Sequence, residues 1–345
     1  MSDYSSSPVR IAMIGVGHIA AMHLTNLLRM PSAQVVGLAD IDANRIAVTL
    51  RRAAAQQNPS IEPPAIPAFN DVEKMLNAVS PDAVILALPP FAHGEVEFQC
   101  VEAGLPMLVQ KPVGLDMETV RAIEQKISDR GLISAVGYQA RYSHAADIAR
   151  SMLADRPIGM AVGTYLGGLP GTAWWRVQAR SGGQVVEQAT HVVDLQRYLV
   201  GEIETVQAVA ATRLMTDVEN LDIADVSIAS LVFDNGAIGT LINSSGLNGV
   251  PREPWDHGLR LVARDLSFHV FTNGGRIATA GETRELVNPE DCKYLLDEAF
   301  VKAVATGDSS HIRSTYSDAV LTLRATLAIN ESARTGQLVR VADLG

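Results

Sequence analysis

The sequence predicts an α/β fold. It has a doubly wound parallel sheet over residues 8–137, then an α+β domain with a mainly antiparallel open sheet over residues 138–345. Three observations carry this reading. Short apolar strands alternate with helical segments up to about Tyr138. A small-residue turn, Gly15-Val16-Gly17-His18-Ile19-Ala20, joins the first strand to the first helix. Beyond Tyr138, strand segments follow one another with hairpin signals between them.

The elements follow in order. Val9–Ile14 is a short apolar strand, Ile19–Met30 a helix and Gln34–Ala39 a second strand. A helix over Ala43–Gln57 is closed by Asn58-Pro59. A loop containing Pro59, Pro63, Pro64 and Pro67 leads into a short strand near Ala65–Phe69. Asp71 caps a helix that ends near Val79. Ala83–Leu88 is unbroken apolar, as expected of a strand covered by helices on both faces, and Pro89-Pro90 stops it. A helix over Ala92–Ala103 leads to the strand Met107–Val109. A helix over Asp116–Arg130, ended by Gly131, leads to the strand Leu132–Val136. In the second part, a helix near Ala145–Leu153 precedes a strand at Met160–Leu166, and one long helix is expected from Gln184 to Leu199. Ser227–Phe233 and Ala237–Asn243 flank Asp234-Asn235-Gly236, where Asn-Gly accepts the positive φ of a tight turn. Gly258–Val262 and Leu266–Phe271 flank Arg264-Asp265, and helices near Lys293–Ala305 and Ser317–Arg334 close the chain.

Composition narrows the function. A chain of 345 residues, 47% hydrophobic, is long enough for two buried cores. The formal net charge is −10 and no Lys/Arg run exceeds two residues, so the electrostatic footprint for nucleic acid or an anionic membrane is missing. Apolar runs fall short of the ~20 residues a membrane helix needs, and Met1 to Pro8 is polar, without a signal core. A cytoplasmic location is expected. Cys100 and Cys292 stand far apart and suit buried, reduced thiols. The eight histidines form no spaced ligand set, so no metal is assigned.

The turn at Gly15 carries the first chemistry. Gly15 permits the tight bend, Gly17 lets the backbone approach a pyrophosphate, and the small Ala20 lets helix and strand pack closely. The N–H groups opening the helix favour phosphate. Asp40 stands at the end of the second strand, about 20 residues on, where a carboxylate accepts ribose hydroxyls and repels a 2′-phosphate. This is the fingerprint of a Rossmann domain that prefers NAD over NADP. Arg45 lies close enough in sequence to soften that preference.

Two further segments are candidates for catalysis. Gln110-Lys111-Pro112 sits at the carboxyl end of the strand Met107–Val109, where open parallel sheets bind ligands. A lysine there stabilises an alkoxide as hydride leaves; the other reading is a surface lysine in a proline turn. In the predicted helix after Gly182-Gly183, Gln184, Glu187, His191, Asp194 and Tyr198 share one stripe, while Val185, Ala189, Val192 and Leu199 share an apolar face. Such a stripe presents a histidine base to a cleft. It equally fits a solvated face with a local ion pair.

Together these segments resemble the Gfo/Idh/MocA oxidoreductases over nearly the whole chain. Leu88-Pro89-Pro90-Phe91-Ala92-His93 is similar to the family's T-P-x-x-x-H segment, and Gln110-Lys111-Pro112 to its E-K-P motif. Gly137-Tyr138-Gln139-Ala140-Arg141-Tyr142 resembles its crossover, and Gly182 to Asp194 its G-G-x-x-x-D-x-x-x-H-x-x-D helix. Gln110 replaces the usual Glu, Glu187 the usual Asp, and Leu88 the usual Thr.

The resemblance implies a dehydrogenase moving hydride between NAD(H) and a CH–OH group of a sugar, cyclitol or related polyol. It implies a cofactor set of Gly15, Gly17, His18, Ile19, Asp40, Leu88, Pro89, His93, Gln110 and Lys111. It makes Lys111 the alkoxide stabiliser and His191 the base, oriented by Glu187 or Asp194. Arg141, Tyr142, Tyr165, Trp174, Trp175 and Arg176, with Asp194, line the substrate cleft. The tryptophans fit packing equally well. Two other readings share the fold: an NAD-dependent glycosidase, which accumulates no NADH, and a non-enzymatic NAD-binding regulator, which has no need of Lys111 and His191. A homodimer or homotetramer through the C-terminal sheet is expected.

Overall fold

The computed structural model describes residues 7–57, 62, 64–271 and 273–345. The polar N-terminal stretch before Ser7, the Asn58-Pro59 helix stop and Pro63 lie outside the described residues. Backbone packing divides the chain into two units. The first holds the chain up to Val113 together with Thr119–Gly137 and Lys293–Tyr316. The second holds Gly114–Glu118, Tyr138–Cys292 and Ser317–Gly345. Residues 293–316, grouped by sequence with the second domain, thus pack with the first unit, because buried polar groups of their helix bond to residues of the N-terminal helix.

In the first unit β1 (Val9–Ile14), α1 (His18–Leu28), β2 (Ala33–Ala39), α2 (Ala43–Gln57), β3 (Ala68–Phe69), α3 (Val72–Val79), β4 (Ala83–Leu86), α4 (Glu95–Glu102), β5 (Met107–Val109), α5 (Met117–Asp129) and β6 (Ser134–Val136) alternate. The six strands form one parallel sheet in the order β3-β2-β1-β4-β5-β6. The central residues Ile11, Ala12, Met13, Val84, Ile85 and Leu86 are fully buried, as a sheet covered on both faces requires. The order reverses at β1, so the turn after β1 stands at the switch point where such sheets bind ligands. The expected helix at Ala92 begins only at Glu95: Pro90–Ala92 is a single 3₁₀ turn, His93 is extended, and Gly94 has a φ of 121° that delays the helix.

The second unit contains α6 (His144–Leu153), β7 (Ile158–Leu166), α7 (Gln178–Ser181), α8 (Gly183–Glu187), α9 (Thr190–Leu199), β8 (Ile203–Ala211), β9 (Val226–Phe233), β10 (Ile238–Ser244), β11 (His257–Ala263), β12 (Leu266–Phe271), β13 (Gly274–Thr279) and β14 (Thr283–Val287). The helix α10 (Cys292–Thr306) packs with the first unit, and α11 (Tyr316–Thr335) and β15 (Val339–Arg340) complete the second. Its strands form a sheet of order β14-β13-β12-β11-β7-β10-β9-β8-β15. Every neighbouring pair is antiparallel except β7 and β10. Both hairpins form where expected, with positive φ at Gly236 and Asp265. The strands β8, β13, β14 and β15 add to those expected.

One face of this sheet packs Ala161, Leu231, Phe233, Leu241, Leu259, Phe268 and Val270 against α6, α9 and α11. Alternation sends Met160, Val209, Ile228, Val232 and Ile238 to the other face, where each is exposed. No helix among the described residues is long and apolar enough to cross a membrane.

The expected helix from Gln184 to Leu199 is broken. The N–H groups of Gln188 and Ala189 both donate to the Gln184 carbonyl, at 2.9 Å each, which closes α8. Thr190, fixed by Tyr138 (Oγ1 to hydroxyl, 2.9 Å), starts α9. The stripe is therefore out of phase across the break, and it is buried rather than solvated: Gln184, Glu187 and Asp194 are all inside.

Candidate functional site

The turn after β1 has the geometry of a dinucleotide cradle. Gly15 adopts φ 79°, and a Cβ there would meet the Ala87 carbonyl oxygen at 2.6 Å, so only glycine fits. A Cβ on Gly17 would meet nothing within 4 Å, so this stretch of backbone faces open space, as close approach of a pyrophosphate requires. The first turn of α1 has neither a side-chain cap nor an acidic residue, which leaves its N–H groups for an anion. His18 and Ile19 are exposed on that turn, and Ala20 is fully buried against the sheet.

Asp40 is half-buried and held in place. Its Oδ2 accepts from Val16 N–H at 2.9 Å, and its Oδ1 from Asp42 N–H at 2.9 Å. Each oxygen keeps acceptor capacity for a ribose hydroxyl. Thr49 Oγ1 donates to the Val16 carbonyl at 2.6 Å and locks the same turn from α2. Arg45 pairs with Asp42 at 3.5 Å, on the surface. This arrangement fits a bound dinucleotide.

Leu88 and Pro89 follow β4, half-buried, and Leu88 lies beside Gly15. The His93 ring is buried, with Nδ1 on the Glu97 carboxylate, which also accepts from Gly94 N–H at 2.7 Å. Burial alone would push the Glu97 carboxyl up, but the adjacent His93 ring and the Gly94 N–H outweigh it and hold the carboxyl below its usual range. His93 Nε2 is buried and has no hydrogen-bond partner among the described residues. Lys111 is half-buried at the carboxyl end of β5, ahead of a cis peptide to Pro112. Gln110, expected on the cofactor, is buried, and its side-chain amide meets the ring of His23.

In the second unit, the His191 ring meets Tyr138 edge-on, with ring centroids 6.0 Å apart. Glu187 is buried, and its charge reaches Tyr165: burial first, then this carboxylate, push the phenol up to about 12. Tyr165 stacks on His257, ring centroids 4.1 Å apart, and the register pairs these two residues across β7 and β11. His257 Nε2 and Arg252 both border Gly167. Gln184 Oε1 accepts from Asn243 Nδ2 at 2.8 Å. Tyr165, Glu187, His257 and Arg252 thus share one neighbourhood. His257 is brought to Tyr165 by the β7–β11 pairing, and Arg252 reaches the same neighbourhood from the loop ahead of β11. Trp174 and Trp175 stack on each other at 5.2 Å, beside a half-buried Arg176.

Arg141, Tyr142 and Asp194 are among the residues that the resemblance puts in the substrate cleft. All three are buried. Arg141 donates Nε to Asp194 Oδ2 at 2.8 Å and Nη2 to Oδ1 at 2.6 Å, and Thr322 Oγ1 donates to the same Oδ1 at 3.0 Å. Both oxygens of Asp194 are thus engaged, by Arg141 and Thr322.

An uncapped helix opening, a glycine turn at the sheet's switch point and an acidic residue just after β2 define a dinucleotide-binding type of fold. Residues 9–138 match the family described as the oxidoreductase family with NAD-binding Rossmann fold (GFO_IDH_MocA), and residues 149–277 match the GFO/IDH/MocA C-terminal domain. The chain belongs to the Gfo/Idh/MocA oxidoreductase family. It is 25% identical to scyllo-inositol 2-dehydrogenase (NAD(+)) of Bacillus subtilis, over 96% of each chain. It is 24% identical to D-glucoside 3-dehydrogenase of Escherichia coli, over 88% of this chain and 90% of that one. The solved structure of levoglucosan dehydrogenase with NADH and levoglucosan superposes with a TM-score of 0.83 at 21% identity, over 97% of this chain and 99% of that one.

Proposed function

We propose that this protein is an NAD-dependent dehydrogenase of a sugar, cyclitol or related polyol. The observation that carries the reading is the cradle of Gly15, Gly17 and Asp40 at the switch point of a sheet whose strand β5 is followed two residues on by Lys111. The relatives named for inositol and glucoside oxidation support the substrate class. NAD+ when bound supplies the hydride acceptor. Gly17 and the opening of α1 hold its pyrophosphate, and Asp40 its adenosine ribose. Lys111 stabilises the alkoxide that develops on the reacting carbon, and His191 takes the hydroxyl proton, directly or through Lys111. Glu187 orients His191. Tyr165, Trp175 and Arg176 contact substrate hydroxyls.

The test is a panel of sugars, inositols and sugar acids with NAD+ and NADP+, followed by absorbance of the reduced cofactor and by release of free sugar from glycosides. Reduced cofactor accumulates with a free polyol. Sugar release without it overturns the reading in favour of glycoside cleavage, and binding of NAD+ without turnover of any member favours a regulator. In the same assay Asp40→Ser raises the NADP+/NAD+ ratio of kcat/KM about tenfold or more, because it removes the charge that repels a 2′-phosphate. An unchanged ratio removes Asp40 from the ribose site.

The outer face of the nine-stranded sheet is assigned to a second copy of the chain. Met160, Val209, Ile228, Val232 and Ile238 are exposed there on adjacent strands, with Ile228 beside Val209 and Ile238 beside both Met160 and Val232. Sedimentation of the parent protein gives a dimer or tetramer, and Ile228→Glu shifts it to monomer. A parent species at 36.9 kDa overturns this assignment.

A further inference from the structure

Next to Lys111 in the chain, Gln110 belongs to a buried polar cluster of the first unit. Asp297, on α10, bonds through Oδ1 to His23 Nδ1 at 2.6 Å. Its Oδ2 accepts from Asn26 Nδ2 at 2.7 Å. His23 and Asn26 stand one turn apart on the inner face of α1. The far nitrogen of His23, Nε2, meets Gln110 Nε2, and Gln110 is the residue before Lys111. His23 and Asp297 are fully buried, and Asn26 and Gln110 nearly so.

Hydrogen-bond chemistry orients this cluster. An amide nitrogen only donates, so His23 Nε2 accepts and the ring carries its proton on Nδ1, where Asp297 receives it. The opposite face of the Gln110 amide is closed as well. A Cβ on Gly137 would lie 2.6 Å from Gln110 Oε1 and 2.7 Å from its Cδ and Nε2, so the bare Gly137 backbone packs flat on the amide. Gln110 N–H donates to the Leu86 carbonyl at 2.8 Å, which ties the same residue to the end of β4. The residue before Lys111 is therefore held by its backbone, by His23 and by Gly137.

We propose that Asp297, His23 and Gln110 form a positioning relay for Lys111. The cluster's one carboxylate sits on α10, two side chains away from the lysine turn. The neutral amide at position 110 matches a histidine ring whose facing nitrogen is bare. A glutamate carboxylate at position 110 would need that nitrogen protonated. This also accounts for the packing of residues 293–316 with the first unit, since that segment supplies the anchor of the relay. The inference rests on the reading of Lys111 as the alkoxide-stabilising group.

The experiment uses the full-length chain with isotope-labelled histidine and two-bond proton–nitrogen spectra, with His23 assigned by comparison with His23→Gln. In the parent, His23 shows a proton on Nδ1 and a bare Nε2. Gln110→Glu converts it to the doubly protonated ring, and Asp297→Asn loses the single tautomer. The second readout is modification of Lys111 by trinitrobenzenesulfonate, followed by peptide mapping, which needs no substrate. Gln110→Glu and Asp297→Asn each change the Lys111 labelling rate about threefold or more, as an altered local charge and hydrogen-bond pattern requires. NAD+ binding and melting temperature, measured alongside, show that both variants remain folded. A proton on Nε2 in the parent, or labelling rates equal to the parent in both folded variants, overturns the relay. Lys111→Ala with undiminished turnover overturns the underlying reading instead, and the tautomer spectra stand apart from that outcome.

Discussion

Lys111→Ala lowers kcat about a hundredfold to a thousandfold, the range found when one preorganised donor to a developing oxyanion is removed. NAD+ affinity stays within a few-fold, since the proposed pyrophosphate and ribose contacts, the turn after β1 and Asp40, are left untouched. The physical reason is the timing of charge. A carbinol oxygen is neutral in the ground state and gains negative charge only as proton and hydride depart, so a cation beside it lowers the barrier more than it tightens binding. The loss therefore falls on kcat and leaves KM little changed. Lys111→Arg restores only part of the rate, because a planar guanidinium on a longer stem does not place a point charge at the same spot. Stopped-flow absorbance of the reduced cofactor separates the hydride step from product release. Full turnover in Lys111→Ala removes the lysine from the mechanism.

What could be read from the chain alone was what is local along it. Gly15, Gly17, Ala20 and Asp40 lie within one βαβ unit, where backbone geometry and packing act between near neighbours, and the structure gives that turn the expected form. The Asn235-Gly236 and Arg264-Asp265 hairpins were legible for the same reason: a positive φ is demanded at one residue. The unforeseen features depend on distant partners or on burial. His23 meets Asp297 across 274 residues, and no periodicity in either helix announces the pair. Tyr165 and His257 come together through strand register alone. The break in the helix before Thr190 contains neither Gly nor Pro; it follows from the Gln184 carbonyl accepting two N–H groups and from Tyr138 holding Thr190. The polar residues of that segment were compatible with two environments, and only the arrival of Arg141 and Thr322 decides between them at Asp194.

That decision has a measurable consequence at Asp194. Asp194→Ala destabilises the second unit by ~3–5 kcal/mol, the range for removing one partner of a buried ion pair. Arg141 is the reason. Burial works against its cation, and Asp194 followed by Asp318 outweigh that and keep it charged. Without Asp194, two of its five donors lose their acceptors in a site where both side chains are almost wholly buried. The remaining carboxylate, Asp318, is shared: it pairs with Arg141 at 2.6 Å and with Arg197 at 3.1 Å, and Arg197 also holds Glu202 at 2.7 Å. It cannot take up both freed donors of Arg141 without giving up Arg197. Asp194→Asn is milder, since its amide oxygen still accepts one guanidinium bond, so its melting temperature falls between those of the parent and Asp194→Ala. The pattern of loss identifies the role. A substrate-contact aspartate, when removed, raises KM and leaves the melting temperature in place, whereas this one lowers the melting temperature and leaves KM unchanged in the fraction that remains folded. Retained stability with a raised KM returns Asp194 and Arg141 to the substrate site.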